Sequence, residues 1–120
     1  MSVTVIVPTY KPGEKFSRLM ESLKKQTLLP DKVIIMNTEK KFWKDSMISG
    51  VKGAKVFHIT KEEFDHGKTR AQAAGMTDSE FLVYFTQDAV PADRYTLEHL
   101  LKPFKDPQIG AVYGRQLPDK

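Results

Sequence analysis

The chain contains no cysteine, so it has neither a disulfide framework nor a thiolate metal site. No apolar run approaches the roughly 20 residues that a membrane-spanning helix needs. The N-terminus follows a strand pattern and lacks the charged region that precedes the apolar part of a signal peptide. At 120 residues the chain has the length of one domain, residues 1–120. We therefore expect a soluble, cytoplasmic single-domain protein.

The common nucleotide and zinc motifs are also missing. No GxGxxG follows the first strand and no GxxxxGK[ST] occurs anywhere, which argues against a classical dinucleotide enzyme and a P-loop NTPase. There is no HExxH, and the three histidines lie far apart in sequence. His58 alternates with Val56 within a strand pattern, which favours a structural role for this histidine.

Charge is modest and dispersed. The net charge is +4, and the lysines are scattered instead of forming an arginine-rich block. Such scatter is typical of a solvated face, so we do not expect nucleic-acid binding. A basic balance suits an anionic ligand, or a weak peripheral association with an anionic membrane surface such as the inner face of the membrane.

Strand and helix patterns alternate along the whole chain. Strands are predicted at 3–7, 32–36, 54–59, 81–86 and 109–113, and helices at 16–26, 42–50, 66–76 and 95–104. In the short helix 42–50, Phe42 and Trp43 are expected to cover the sheet. The alternation predicts an α/β protein with a mainly parallel sheet, right-handed crossovers and three α/β/α layers, a Rossmann-like fold.

Polar residues follow four of these strands. They are Thr9 and Tyr10, Asn37, Thr60 and Asp88. Because the carboxyl ends of parallel strands meet at one edge, where open α/β sheets bind their ligands, we expect these residues to form a nucleotide site. Asp88 ends an otherwise apolar strand, which favours a ligand or metal role over a simple helix cap.

The peptide HGKTR at 66–70 begins a predicted helix, with Asp65 as its N-cap. Free N–H groups, the helix dipole, Lys68 and Arg70 would together favour an anion at this position. A solvated first turn explains the same residues equally well, so both interpretations stay open here.

Four segments resemble family-2 glycosyltransferases of the GT-A fold: VIVPTYKP, the strand ending in Asn37, GKTRAQA and TQDAVP. The resemblance implies a nucleotide-sugar site in which Thr9, Tyr10 and Asn37 hold the base and ribose, with Arg70 nearby. It further implies that Asp88 binds a metal–diphosphate group, with Mg²⁺ or Mn²⁺ as the metal, and that Gln87 contacts the ribose or a metal-bound water.

A narrower resemblance is to bacterial rhamnosyltransferases, through FDHGKTR at 64–70, TQDAVP at 86–91 and AVYGRQLP at 111–118. It implies a dTDP-L-rhamnose donor, inversion at the sugar, and a glycan or lipid-linked glycan acceptor in cell-wall or surface polysaccharide synthesis. The catalytic base of that family lies beyond position 120. We therefore expect this chain to be a truncated form of a longer GT-A enzyme, comprising its donor-binding half.

The chain departs from the family pattern at two points. Met36-Asn37-Thr38-Glu39 stands where the family has adjacent acids, and Asp88 alone remains at the metal motif. Metal use is therefore open, with Arg70 or Lys68 available to share the phosphate charge. Two other functions also stay open. One is a binding-only or inert module, which could self-associate, and the other is a nucleotidyltransferase.

Overall fold

The structure, a computed structural model, describes residues 2–89, 93–101 and 111–113. Strands and helices alternate in it, with two short 3₁₀ turns between the second and third strands. The elements are β1 (Val3–Tyr10), α1 (Glu14–Lys24), β2 (Lys32–Thr38), 3₁₀ turns Lys40–Phe42 and Asp45–Ile48, β3 (Ala54–Ile59), α2 (His66–Ala74), β4 (Phe81–Tyr84), α3 (Thr96–Leu101) and β5 (Ala111–Tyr113).

The five strands form one parallel sheet in the order β3-β2-β1-β4-β5. The chain builds outward from β1 to β2 and β3, then returns through α2 to place β4 on the other side of β1. The strand order therefore reverses between β1 and β4, and such a switch point opens a crevice at the carboxyl ends of the strands. The predicted α/β fold with a parallel sheet is confirmed.

Two apolar clusters cover the two faces of the sheet. Val3, Val5 and Val7 of β1 belong to the first cluster, together with buried residues of α1 and α3. Ile6 of β1 belongs to the second, which includes Ala73 of α2. Alternate residues of β1 therefore serve opposite faces, which explains why its sequence is continuously apolar. The sheet lies in the middle of three layers.

The segment 42–50 is not one helix, and that prediction is wrong. Two 3₁₀ turns replace it, and Trp43 and Lys44 between them are extended. The extended backbone lets Trp43 pack against the first cluster and against the Phe16 ring, with ring centroids 5.7 Å apart. Burial of the indole outweighs the local helical tendency. Phe42 instead packs edge-to-face on Tyr10, with centroids 5.9 Å apart.

The remaining element boundaries differ from the predictions by a few residues. β1 and β2 run further than predicted, to Tyr10 and Thr38, whereas β4 ends at Tyr84. The predictions for residues 102–104 and 109–110 lie outside the described residues. Within the described part of the chain, no helix combines the length and apolar character needed to cross a membrane.

Candidate functional site

A cavity of about 290 Å³ lies at the carboxyl edge of the sheet. The ends of β1 and β2, the segments that follow β3 and β4, and one residue of α2 form its walls. The described lining residues are Pro8, Thr9, Tyr10, Thr38, Lys61, Phe64, Arg70, Thr86 and Gln87. The cavity therefore occupies the crevice that the reversal of strand order creates.

The chain leaves β1 and β2 through strained backbone. Lys11 has φ +48° and Glu39 has φ +69°, both in the left-handed region that non-glycine residues rarely adopt. Such residues cost on the order of 1–3 kcal/mol each and cluster at ligand sites. The two strained residues flank the cavity wall formed by Tyr10 and Thr38.

Gln87 holds the end of β1. Its side-chain Oε1 accepts a hydrogen bond from the backbone N–H of Tyr10 at 2.7 Å, and its Nε2 donates to the Tyr10 carbonyl at 2.9 Å. Pairing between β1 and β4 ends at Ile6 and Tyr84, so the Gln87 amide bonds β1 where β4 no longer does. Both polar groups of the Gln87 side chain are thus engaged inside the protein.

Thr9, Asn37 and His58 form a polar row across three neighbouring strands, at positions that pair in register. The Thr9 hydroxyl donates to Asn37 Oδ1 at 2.8 Å, while Asn37 Nδ2 lies 3.1 Å from His58 Nδ1. Asn37 Nδ2 also donates to the Glu39 carbonyl at 3.3 Å, which fixes the orientation of the amide. His58 Nδ1 is therefore the acceptor.

Asn37 is completely buried in this row and is not among the residues lining the cavity. The structure thus places the Asn37 amide beneath the cavity floor, in contact with Thr9. His58 lies on the opposite side of Asn37, on the edge strand, and its ring packs against Trp43 with centroids 6.2 Å apart. This row braces the ends of β1 and β2.

The turn after β3 carries Lys61 into the cavity wall. The Thr60 N–H donates to Glu63 Oε1 at 2.8 Å, and the Glu63 N–H donates back to the Thr60 hydroxyl at 3.2 Å. This reciprocal pair is the capping-box arrangement of a Thr-x-x-Glu sequence. The hydrogen bond from the Thr60 backbone, followed by that from its hydroxyl, lowers the pKa of Glu63.

Lys61 makes its main contact with Tyr10. The ammonium lies 5.3 Å from the centre of the Tyr10 ring. Its interaction with the Tyr10 hydroxyl raises the pKa of Lys61 and lowers the pKa of Tyr10. Lys61 is therefore an ammonium at neutral pH and is anchored by its phenolic partner.

Two further lysines surround the aromatic pair of Tyr10 and Phe42. Lys11 Nζ lies 5.3 Å from the Tyr10 ring centre and 4.9 Å from that of Phe42, while Lys41 Nζ lies 5.1 Å from Phe42. We call Lys11, Lys41 and Lys61 the lysine rim. Cation–π contacts hold these ammonium groups beside the cavity, and Lys41 Nζ also lies 3.9 Å from Glu39 Oε2.

The first turn of α2 already has a carboxylate at its N-terminus. Asp65 is the N-cap, as predicted, and its Oδ1 accepts from the Lys68 N–H at 2.9 Å. A second anion at the same N–H groups would be repelled by the Asp65 carboxylate. Arg70, one turn further along the helix, lines the cavity, whereas Lys68 is exposed and lies outside the described lining.

Asp88 lies in the turn after β4, next to the lining residue Gln87, and it is exposed. It is not among the described lining residues. No group of three or more His, Cys, Asp or Glu side chains suited to a metal ion occurs in the described part of the chain. Within residues 85–89, the described segment after β4, Asp88 is the one carboxylate that a metal could use.

Of the residues predicted for the site, Thr9, Tyr10, Arg70 and Gln87 line the cavity, Asn37 lies beneath it and Asp88 beside it. Thr60 is exposed and lies outside the described lining. Sequence reasoning did not single out Lys61, Phe64 or Thr38 for the site. A signal existed for Lys61, because Thr60 and Glu63 spell a capping box directly after a predicted strand. Nothing in the sequence marks Thr38, which follows Asn37 at the end of β2.

The whole of residues 4–119 matches the family model for glycosyl transferase family 2. The chain therefore belongs to that family. It is 38% identical over 121 residues to the O-antigen chain rhamnosyltransferase RfbN of Salmonella typhimurium, covering 100% of this chain and 38% of RfbN. It is 36% identical over 119 residues to the O-antigen chain rhamnosyltransferase WbaN of Salmonella anatum, covering 98% of this chain and 38% of WbaN.

Solved structures agree on the fold. S. aureus TarS 1-349 superposes with a TM-score of 0.67 at 24% identity, covering 86% of this chain and 33% of that one. A CMP:2-keto-3-deoxy-manno-octonic acid synthetase complexed with CTP superposes with a TM-score of 0.66 at 11% identity, covering 88% of this chain and 48% of that one. At these identities the likeness concerns the fold alone. The family match is what assigns the chain to the family-2 glycosyltransferases.

Proposed function

We propose that this chain is the donor-binding part of a glycosyltransferase that transfers rhamnose from dTDP-L-rhamnose to a glycan acceptor in surface polysaccharide synthesis. The main observation in support is the cavity at the switch point of the sheet, which brings Thr9, Tyr10, Arg70 and Gln87 together. Family membership supports glycosyl transfer, and the names of the two Salmonella relatives support rhamnose as the sugar. The chain spans 38% of the length of either relative, so the proposal concerns a longer protein.

In this reaction an acceptor hydroxyl attacks the anomeric carbon of the donor. The new glycosidic C–O bond forms as the bond to the diphosphate oxygen breaks, and the diphosphate leaves with the electron pair. The acceptor proton passes to a base, which the family resemblance assigns to a part of the longer protein beyond residue 120. This chain then contributes donor binding and stabilisation of the leaving group.

Arg70 is suited to the leaving group because its guanidinium is always charged and can form two parallel hydrogen bonds to a phosphate. The attraction between its charge and the diphosphate becomes stronger as negative charge develops there. This is the condition for transition-state stabilisation. Tyr10 and Phe64 supply the apolar walls against which a base or sugar ring can pack.

Asp88 is the residue that would hold Mg²⁺ or Mn²⁺. One exposed carboxylate is compatible with either ion, because such ions are often bound by one or two carboxylates together with substrate phosphates and water. When bound, the ion would neutralise charge on the departing diphosphate. Arg70 interacts with the same diphosphate and does not require the ion.

The same proposal includes a glycan or lipid-linked glycan acceptor and a cytoplasmic site of action at the inner face of the membrane. The lysine rim supports a position near an anionic surface, because each lysine close to such a surface favours binding by about 1 kcal/mol. Self-association of the chain remains part of the proposal and is measured in the same samples by sedimentation.

Calorimetric titration of dTDP-L-rhamnose, dTDP, UDP-glucose and GDP-mannose into the chain, with and without Mg²⁺, tests the proposal. We expect saturable binding that favours the thymidine nucleotides, and weaker binding to the Arg70→Ala variant with or without Mg²⁺. Lys52→Ala, on the exposed turn before β3, is the matched control and should bind like the parent chain. Absence of binding by all four nucleotides would contradict donor binding by this chain, and equal binding of all four would contradict a thymidine donor.

A further inference from the structure

Lys61 is a cation of the cavity wall for which family resemblance gave no role. Its backbone position is set by the Thr60–Glu63 capping box, and the Phe64 N–H donates to the Lys61 carbonyl at 3.4 Å. The turn therefore has a defined shape although it lies on the surface. Lys61 and Phe64 both line the cavity as a result.

The ammonium of Lys61 is held from one side only. Its nearest described partner is Tyr10, whose ring centre lies 5.3 Å from the ammonium and whose hydroxyl is the main influence on the pKa of Lys61. Glu39 and Glu62 act on it through charge, as lesser influences on its pKa. An ammonium with a neutral partner keeps its net positive charge and has donors left for an anion.

Two of the described lining residues are cationic. They are Lys61 and Arg70, and none of the described lining residues is a carboxylate. Lys11 adds a further positive charge across the Tyr10 ring, 5.3 Å from its centre. A concave site lined by one sign of charge raises the local concentration of the opposite sign. The described lining therefore favours an anionic ligand group.

We propose that Lys61 binds the diphosphate of the nucleoside-diphosphate donor, anchored by the Tyr10 hydroxyl, and thereby selects nucleoside diphosphates over nucleosides and monophosphates. This inference rests on the proposed function, since it names the residue through which the same cavity recognises its donor. The raised pKa of Lys61 agrees with it, because the ammonium form persists throughout the neutral range.

The alternative is that Lys61 only supports the Tyr10 ring. The two roles separate in a ligand series, because a phosphate contact affects dTDP and dTMP but not thymidine, whereas a displaced Tyr10 affects all three. Affinities of thymidine, dTMP and dTDP are therefore measured by NMR titration on the parent chain, Lys61→Met, Lys61→Arg and Tyr10→Phe. Lys55→Met, on the exposed face of β3, is the matched control.

We expect Lys61→Met to weaken dTDP binding about tenfold, the size of one charge-assisted hydrogen bond, and to leave thymidine binding unchanged. Lys61→Arg should restore most of the loss, and Tyr10→Phe should give a smaller loss for dTDP. The affinity of the parent chain for dTDP should also fall more steeply with salt than that of Lys61→Met, because the screened charge is missing from the variant.

Two results would overturn the inference while leaving the proposed function intact. In the first, the parent chain binds dTDP and Lys61→Met binds it equally well. In the second, Lys61→Met weakens thymidine as much as dTDP, which would make Lys61 a support for Tyr10. If the parent chain binds none of the three ligands, the proposed function itself fails. Thermal unfolding of each variant confirms folding, and the exposed Lys61 should be replaceable without a change in Tm.

Discussion

The side-chain amide of Gln87 hydrogen-bonds both backbone polar groups of Tyr10, at 2.7 Å and 2.9 Å. Strand β4 ends three residues before Gln87, so this side chain replaces a strand partner for the last residue of β1. The position of Tyr10, and through it that of Lys61, therefore depends on a residue that comes from the opposite wall of the cavity.

Removal of this amide should loosen the cavity. Gln87→Ala leaves the Tyr10 N–H and carbonyl without their partners, and at about 1 kcal/mol for each hydrogen bond we expect a loss of about 2 kcal/mol in unfolding free energy. Affinity for dTDP should fall as well, because Tyr10 lines the cavity. Denaturant unfolding and calorimetry measure the two effects. Gln72→Ala, on the exposed side of α2, is the control, and a parent-like Gln87→Ala would contradict this role.

Asp88 and Arg70 should respond differently to metal. Because Asp88 is exposed, Asp88→Ala should leave Tm nearly unchanged. It should remove any gain in dTDP affinity that Mg²⁺ gives the parent chain, since it removes the carboxylate assigned to the ion. Arg70→Ala should lower affinity equally in Mg²⁺ and in EDTA. A large fall in Tm for Asp88→Ala with unchanged binding would instead make Asp88 a structural residue.

Thr38 offers a contrast between stability and binding. Its hydroxyl is buried and has no hydrogen-bond partner among the described residues, yet Thr38 lines the cavity. Because burial of an unpaired hydroxyl is costly, Thr38→Val should raise the unfolding free energy by about 1 kcal/mol. It should also weaken dTDP-L-rhamnose binding, if a donor hydroxyl completes the missing bond.

Thr9→Val is the matched control for Thr38→Val. Its hydroxyl donates to buried Asn37 Oδ1, so its removal leaves that acceptor unpaired and should cost about 1–3 kcal/mol. Differential scanning fluorimetry with and without dTDP-L-rhamnose follows both variants. Destabilisation by Thr38→Val similar to that by Thr9→Val would show that the Thr38 hydroxyl is already satisfied.

Acidification should loosen the turn that carries Lys61. The pKa of Glu63 is lowered by hydrogen bonds from Thr60, so its contribution is present above the ordinary value of 4.5 and is lost as pH falls through the lower folded value. The Thr60 amide shift in NMR should therefore titrate below pH 4.5. In Glu63→Gln the titration should vanish, because the amide oxygen still accepts but carries no proton. A midpoint at or above the ordinary value would contradict the capping box.

The sequence predicted those parts of the fold that depend on periodicity. The apolar runs of β1, β2 and β3 and the Asp65 cap of α2 specify their own structure. All four are found, and the three strands begin at the predicted residues. The segment 42–50 was mispredicted because its conformation is set by where Trp43 finds a buried surface, which local sequence does not record. Tertiary packing decides such short segments.

The site was predictable to the extent that strand ends specify it. Thr9 and Tyr10 end β1, and the parallel order brings them beside Gln87. Asn37 was expected to contact the base, and this contact stays a prediction. The structure places its amide in a row with Thr9 and His58, with which it pairs in register. The Thr60–Glu63 capping box marks the turn that carries Lys61, but the distance from Lys61 to Tyr10 is not visible before the strands are placed.

The central position of β1 also has a consequence for synthesis of the chain. When residue 61 has left the ribosome, β1, β2, β3 and Lys61 can already assemble, but one edge of β1 stays open until β4 and Gln87 follow. The cavity, which Gln87 helps to line, is therefore complete only after the sheet closes on both sides of β1. A ligand that binds the completed sheet and not its precursor draws late folding intermediates toward the native state.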